Sequence, residues 1–223
     1  MIETYEKIYR NILNIMMLSL SIDNESKPQT TMNNNKPLMV IGPSAVGKDT
    51  LINKLKNKYP DVVYKLPSYT TRPKRDGEID GIDYYFVTKR EFFKLRDEGK
   101  LFGIQEYNSN WYASNKAKLN QALENKNKIV VLNYNINTAN AVKNEIDFNY
   151  VAILPPSETA LRERLKQRNT KTEEIETRMS NSITEIQLIS EANYIHFRLV
   201  NDELEKSFTK LENHLMGIYP QLQ

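Results

Sequence analysis

The 223 residues predict an α/β fold with a parallel sheet core flanked by helices. Three observations predict it. Short apolar runs of strand length recur along the chain, stretches of helical periodicity separate them, and a glycine-rich turn joins the first run to the first helix. Pro37 to Ile41 is an apolar run that enters Gly42, and Leu51, Ile52 and Leu55 give Thr50 to Lys58 helical spacing. Val62 to Leu66 and Tyr84 to Val87 are β-rich. Glu91 to Glu98 and Lys116 to Glu124 are helical. Ile129 to Leu132 and Tyr150 to Leu154 are continuous apolar runs, as buried parallel strands require. Two charged helices follow, Glu158 to Gln167 and Glu173 to Glu191. Tyr194 to Val200 is a last strand and Leu204 to Met216 a closing helix, with 217–223 as a tail.

Composition narrows the chemistry. There is no cysteine, which removes disulfides, thiolate metal sites and a thiol nucleophile, and fits a cytoplasmic setting. Two histidines do not build a histidine-rich metal centre. A net charge of +3 is mild, so nucleic acid is not an expected partner. No apolar run approaches the ~18 residues of a membrane span. The first 36 residues stand apart. Ile2, Tyr5, Ile8, Tyr9, Ile12, Met16 and Leu20 form one helical stripe, and a polar linker from Ile22 to Lys36 follows. Glu3 and Glu6 argue against a secretory or transit leader. This extension is expected to dock on the domain or to mediate self-association.

Two stretches carry the chemistry. The first is Gly42-Pro43-Ser44-Ala45-Val46-Gly47-Lys48-Asp49-Thr50, a G-x-x-x-x-G-K turn between strand and helix. Its glycines let backbone N–H groups turn inward to form an anion nest, and Lys48 adds a mobile positive charge for the outer phosphates. The residue after the lysine is ordinarily Ser or Thr, whose hydroxyl helps hold Mg2+; here Asp49 stands there, so Asp49 or Thr50 is the candidate metal contact. The second stretch runs from Ser68 through Thr70-Thr71-Arg72-Pro73-Lys74-Arg75 and Glu78 to Tyr84 and Val87. Guanidinium forks beside hydroxyl donors suit a dianionic phosphate, a second site distinct from the first.

Together with Asn110-Trp111-Tyr112-Ala113-Ser114, Leu154-Pro155-Pro156-Ser157 and Val200-Asn201-Asp202, these strings resemble the guanylate kinase family from about Pro37 to Met216. The resemblance implies a P-loop NTPase-type core (37–67, 129–154 and 193–216), a small mixed GMP-binding subdomain (68–128) and a helical lid (about 157–192). It implies Mg2+-dependent transfer from ATP to GMP, and to dGMP by the same acceptor site. By position, Arg72, Arg75, Tyr84 and Tyr112 would hold the GMP phosphate, with Glu78 beside them. Ser68 and Ser114 would face the guanine and Asn135 would contact the base or order water around the metal. Arg164, Arg168 and Arg178 would be lid arginines acting with Lys48 and Arg72 in transfer. Asn201 would lie near the adenine.

The chain also departs from the family pattern. Gly103 stands where a Glu usually meets guanine, with Gln105 and Glu106 nearby as substitutes; Asn133 and Asn135 replace paired acids, and Ala113 replaces a Gly. Two alternatives follow from these departures: a catalytically inactive phosphopeptide-binding module, or a P-loop kinase with a different nucleotide acceptor.

Overall fold

The computed structural model describes residues 36–107, 109–168 and 172–223. The expected amphipathic helix of residues 2–20 and its linker lie outside the described residues, apart from Lys36.

The core is a five-stranded sheet in the order β2-β7-β1-β8-β9. Its strands are β1 (Leu38–Ile41), β2 (Val63–Lys65), β7 (Ile129–Tyr134), β8 (Asn149–Leu154) and β9 (Phe197–Val200). Every pairing is parallel, as buried apolar runs separated by helices demand. β1 lies in the middle, and all four of its residues are buried. Alternation splits it between two layers. Leu38 and Val40 pack with Leu51, Ile52 and Leu55 of α1 (Lys48–Lys58) and with Phe208, Leu211 and Leu215 of α7 (Leu204–Met216). Met39 and Ile41 face the opposite cluster. That cluster takes Leu119 from α3 (Lys116–Glu124), Ile136, Ala139 and Val142 from α4 (Ile136–Val142), and Ile186 and Ile189 from α6 (Thr172–Glu191). Each such buried aliphatic side chain contributes about 1.5–3 kcal/mol.

A second, mixed sheet has the order β4-β3-β6-β5. It consists of β3 (Ser68–Thr70), β4 (Tyr84–Phe86), β5 (Leu101–Tyr107) and β6 (Asn110–Asn115). One face is covered by α2 (Lys89–Asp97), whose Phe92 is buried with Leu101 and Ala113. The start of α2 is fixed by a capping box in which Thr88 and Glu91 satisfy each other's backbone. The other face carries Ser68, Tyr84, Tyr112 and Ser114. α5 (Glu158–Gln167) packs its Leu161 and Leu165 against Ile175 and Met179 of α6. Among the described residues, no helix is long and apolar enough to cross a membrane.

The structure corrects several expectations. β3, β5 and β6 are strands that periodicity did not reveal, because the sheet face opposite α2 carries Ser68, Thr70, Gln105, Tyr112 and Ser114 in place of a solvated polar row. α4 is likewise new, a short helix started by Asn135. The last strand begins at Phe197, while Tyr194 instead packs its ring against Tyr150 at 4.8 Å. Residues 217–223 are no loose tail: Tyr219 is fully buried, donates to Lys36 O at 3.0 Å and accepts from Asn149 Nδ2 at 2.8 Å.

Candidate active site

The glycine-rich loop follows β1 at the carboxyl end of the parallel sheet, where open α/β sheets gather their ligands. Gly42 and Gly47 have φ of +146° and +101°. No side chain caps α1, so the N–H groups of its first turn are left for an anion. Lys48 Nζ folds back onto the loop, donating to Gly42 O at 2.6 Å and Pro43 O at 2.7 Å. Desolvation lowers its pKa, while Glu185 and Asp49 pull the other way and Arg168 adds to the lowering.

The loop is braced from behind. Asn201 Nδ2 donates to Val46 O at 2.8 Å, and Arg164 donates to Asn201 O at 2.7 Å and Val46 O at 3.3 Å. Arg164 is therefore a strut of the loop in this conformation and not a free lid cation. Arg168 closes α5, is exposed, and its charge reaches Lys48. Arg178 on α6 pairs with Glu174 at 3.1 Å.

The opposing face belongs to the small sheet. Arg72 holds Glu78 with a two-pronged contact, at 3.0 and 2.6 Å, and its guanidinium lies 5.3 Å from the Tyr84 ring centre. Glu78 also accepts from Arg75 N at 2.8 Å, so it orders the turn that carries both arginines. Burial would raise the Glu78 pKa, but the bonds from Arg72 and Arg75 hold it below the usual carboxylate range. Tyr84 and Tyr112 meet edge to face at 6.2 Å. Ser68 and Ser114 lie beside them, their hydroxyls 3.4 Å apart.

The loop and the small sheet confront one another. Burial raises the Tyr84 pKa, and the next contribution is the charge of Asp49 from α1. Tyr107 of β5 shares a side-chain hydrogen bond with Ser44 of the loop. Asp49 itself is held: Oδ1 accepts from Lys65 Nζ and from Asn133 Nδ2, both at 2.9 Å. Burial would raise its pKa, but Lys65, then Lys48 and the Asn133 bond, keep it below the ordinary value. Thr50 is exposed on the outer side of α1, in a groove with Asn53, Lys54 and Phe208.

A family model described as guanylate kinase matches residues 34–217. The chain belongs to the guanylate kinase family. It is 38% identical over 179 residues to a guanylate kinase of Schizosaccharomyces pombe, covering 79% of this chain and 88% of that one. It is 32% identical over 186 residues to a guanylate kinase of Sus scrofa, covering 82% and 93%. The fold matches a crystal structure of guanylate kinase from Anaplasma phagocytophilum with a TM-score of 0.62 at 24% identity, over 87% of this chain and 89% of that one.

Within this guanylate kinase framework, Asn135 departs from its expected role. Its Oδ1 accepts from Thr138 N at 2.9 Å, so the side chain caps α4. Glu106 is cross-strand from Trp111, on the face turned to α2, and is exposed. Gln105 is cross-strand from Tyr112 and accepts from Thr138 Oγ1 at 2.6 Å. Sequence reasoning missed Lys65, Tyr107, Tyr134 and Glu185. Lys65 offered a faint signal, a lysine closing an apolar strand at the sheet's ligand-binding edge.

Glu185 of α6 is 6% exposed, and its Oε2 has no partner among the described residues. Burial raises its pKa from 4.5 to about 7, with Lys48 opposing. Between those values the folded state binds a proton that the unfolded state has lost, so stability falls as pH rises from about 4.5 to about 7. The loss is expected to reach about 3 kcal/mol. Glu185→Gln should flatten the slope in urea melts run across that range and be the more stable protein at pH 8; parallel slopes would contradict the burial argument.

Proposed function

We propose that the protein is an ATP:GMP phosphotransferase, moving the γ-phosphoryl group of ATP to GMP to give ADP and GDP. One observation carries this most directly: the glycine-rich loop with its lysine is bonded through Ser44 to Tyr107 of the small sheet, whose cleft face carries the cluster of Arg72, Tyr84 and Tyr112. Two phosphate-binding surfaces in confrontation suit transfer between two bound nucleotides.

Phosphoryl transfer requires alignment and charge neutralisation more than covalent chemistry. The N–H groups of the loop and of the first turn of α1 bind the donor phosphates. Lys48 exchanges its loop carbonyls for phosphate oxygens. Arg75, Arg72, Tyr84 and Tyr112 hold the acceptor phosphate, with Glu78 fixing the Arg72 fork. Arg168 and Arg178 approach from α5 and α6 as the lid closes and water is excluded. Arg164 and Asn201 keep the loop in shape from behind.

The donor set fits Mg2+ in its usual mode with nucleotides, one protein carboxylate plus phosphate oxygens. Among the described residues no group of three or more acidic or histidine side chains could hold an ion unaided. Asp49 supplies a hard anionic oxygen and would hold the ion, with Lys65 and Asn133 fixing the carboxylate. When bound, Mg2+ neutralises phosphate charge.

A coupled assay of ADP release with ATP, Mg2+ and a panel of nucleoside monophosphates tests the proposal. Release that depends on GMP is the expected result; no release with any acceptor would refute it. Arg75 is exposed and its backbone is anchored through Glu78, so its side chain can be removed with little cost to the fold. Arg75→Ala is expected to raise the GMP KM about 30- to 150-fold, as for a lost charge-assisted contact worth about 2–3 kcal/mol. The ATP KM should stay within about twofold, since Arg75 belongs to the acceptor side. Steady-state kinetics with each nucleotide varied in turn checks both.

A further inference from the structure

The carboxylate in the first turn of α1 stands in an unfavourable place for a site that takes phosphates. Asp49 follows the loop lysine, at a helix start that no side chain caps. A bare carboxylate there competes for the positive end of the helix and repels the oxygens of any phosphate bound to it. Its charge also reaches Lys48, the cation that those phosphates need.

Two neighbouring strands answer that charge. Lys65 ends β2, and Asn133 lies near the end of β7, its parallel partner. Lys65 Nζ and Asn133 Nδ2 converge on one oxygen, Asp49 Oδ1, at 2.9 Å each. The Lys65 side chain is 11% exposed, against 47% for Asp49. An ammonium buried to that degree is costly unless it is paired, so Lys65 is a fixed partner of Asp49 and not a passing surface cation. Asn133 adds a donor without adding charge. Asp49 and Lys65 therefore sum to zero, and Lys48 meets an incoming phosphate with a charge that Asp49 does not cancel. Take Lys65 away, and Asp49 and Lys48 sum to zero instead. Glu185 acts on Lys48 from α6 in either case and is no part of this balance.

We infer that Lys65 is a positioning residue for donor binding, a built-in counter-cation that lets the loop take ATP beside Asp49 even when no divalent ion accompanies the nucleotide. The inference rests on the donor-site reading proposed above. ATP that arrives with Mg2+ brings its own counter-charge, so Lys65 matters little to it. Metal-free ATP brings none, and the whole repulsion of an unpaired Asp49 would fall on it.

Calorimetric titration of the full chain with ATP, once in Mg2+ and once in EDTA, tests this. It needs neither acceptor nor turnover, so failure of the phosphotransferase assignment appears separately, as absence of ADP release in the coupled assay. The wild type is expected to bind in both buffers. Lys65→Met keeps the apolar stem of the side chain and removes the charge. It should weaken ATP binding in EDTA at least about tenfold and in Mg2+ by less than about threefold, as for one uncompensated charge beside a partly exposed phosphate site. A merely structural loss would weaken both alike. Combining Asp49→Asn with Lys65→Met removes the lone carboxylate as well, and should return metal-free binding to within about threefold of the wild type. Asp49→Asn alone leaves the ammonium uncancelled and should tighten metal-free binding, which tests the same balance without Lys65→Met. Thermal melts check each fold. Equal losses in the two buffers, an unchanged metal-free affinity for Lys65→Met, a folded double variant that stays weak, no tightening by Asp49→Asn, or a wild type that binds no ATP in EDTA would overturn the inference.

Discussion

Lys48→Ala is expected to transfer phosphate about a thousandfold more slowly than the wild type, with the fold intact. The size follows from what the ammonium does. It neutralises charge on the phosphates in a water-poor pocket, where one preorganised group is worth about 10²–10³ in kcat. The loop itself holds the lysine, its Nζ at 2.6 and 2.7 Å from the carbonyls of Gly42 and Pro43. Those two carbonyls hold the side chain over the nest, so little search is needed when phosphate arrives. The fold should survive because the loop is braced independently by Asn201 and Arg164. Single-turnover kinetics separates the chemical step from binding, and circular dichroism reports the fold. A Lys48→Ala protein with wild-type kcat would show that the charge lies elsewhere.

Gly42→Ala is expected to destabilise the folded protein by about 4 kcal/mol, one of the largest effects of any single methyl group here. Two costs add. The φ of +146° is one that an L side chain rarely adopts. The new Cβ would also stand 2.2 Å from the backbone oxygen of Ile153. Ile153 is a fully buried residue of β8 paired within the parallel sheet, so the oxygen has nowhere to go. Gly47 offers the contrast. A Cβ there would meet Asn201 Nδ2 at 2.3 Å, but that obstacle is a side-chain tip, able to rotate at the cost of its bond to Val46. Gly47→Ala should therefore loosen the loop and harm ATP binding more than it lowers the urea midpoint. An unchanged midpoint for Gly42→Ala would mean that the loop leaves β8 in solution.

Much of this was legible from residues in order. The loop from Gly42 to Lys48 could be placed because its chemistry depends on local spacing between a strand and a helix. The stretch from Ser68 to Tyr84 could be placed because hydroxyls and guanidinium groups are rarely so concentrated without an anion to meet. What stayed hidden depends on chain segments that meet only after folding. Nothing local announces that Lys65 and Asn133 will converge on Asp49, or that Tyr134 will fill the space above Gly103. Asn135 was hard to read for a different reason: its short side chain suits a ligand contact and a helix cap equally well, and only the folded chain shows that its Oδ1 starts α4. The strands β5 and β6 were hidden because a sheet with one face in the cleft breaks the simple alternation of apolar and polar residues.

The central place of β1 has a consequence for how the protein is made. Leu38 pairs with Val131 on one side and with Asn149 on the other, so β1 waits for partners roughly a hundred residues downstream. The small sheet is drawn from contiguous chain between Ser68 and Asn115, so its strand pairings need no such wait. During synthesis the cleft is therefore built from its acceptor side first. The nucleotide-gripping turn takes shape only once β8 has emerged, and Tyr219 then ties the segment after α7 to Lys36, just ahead of β1.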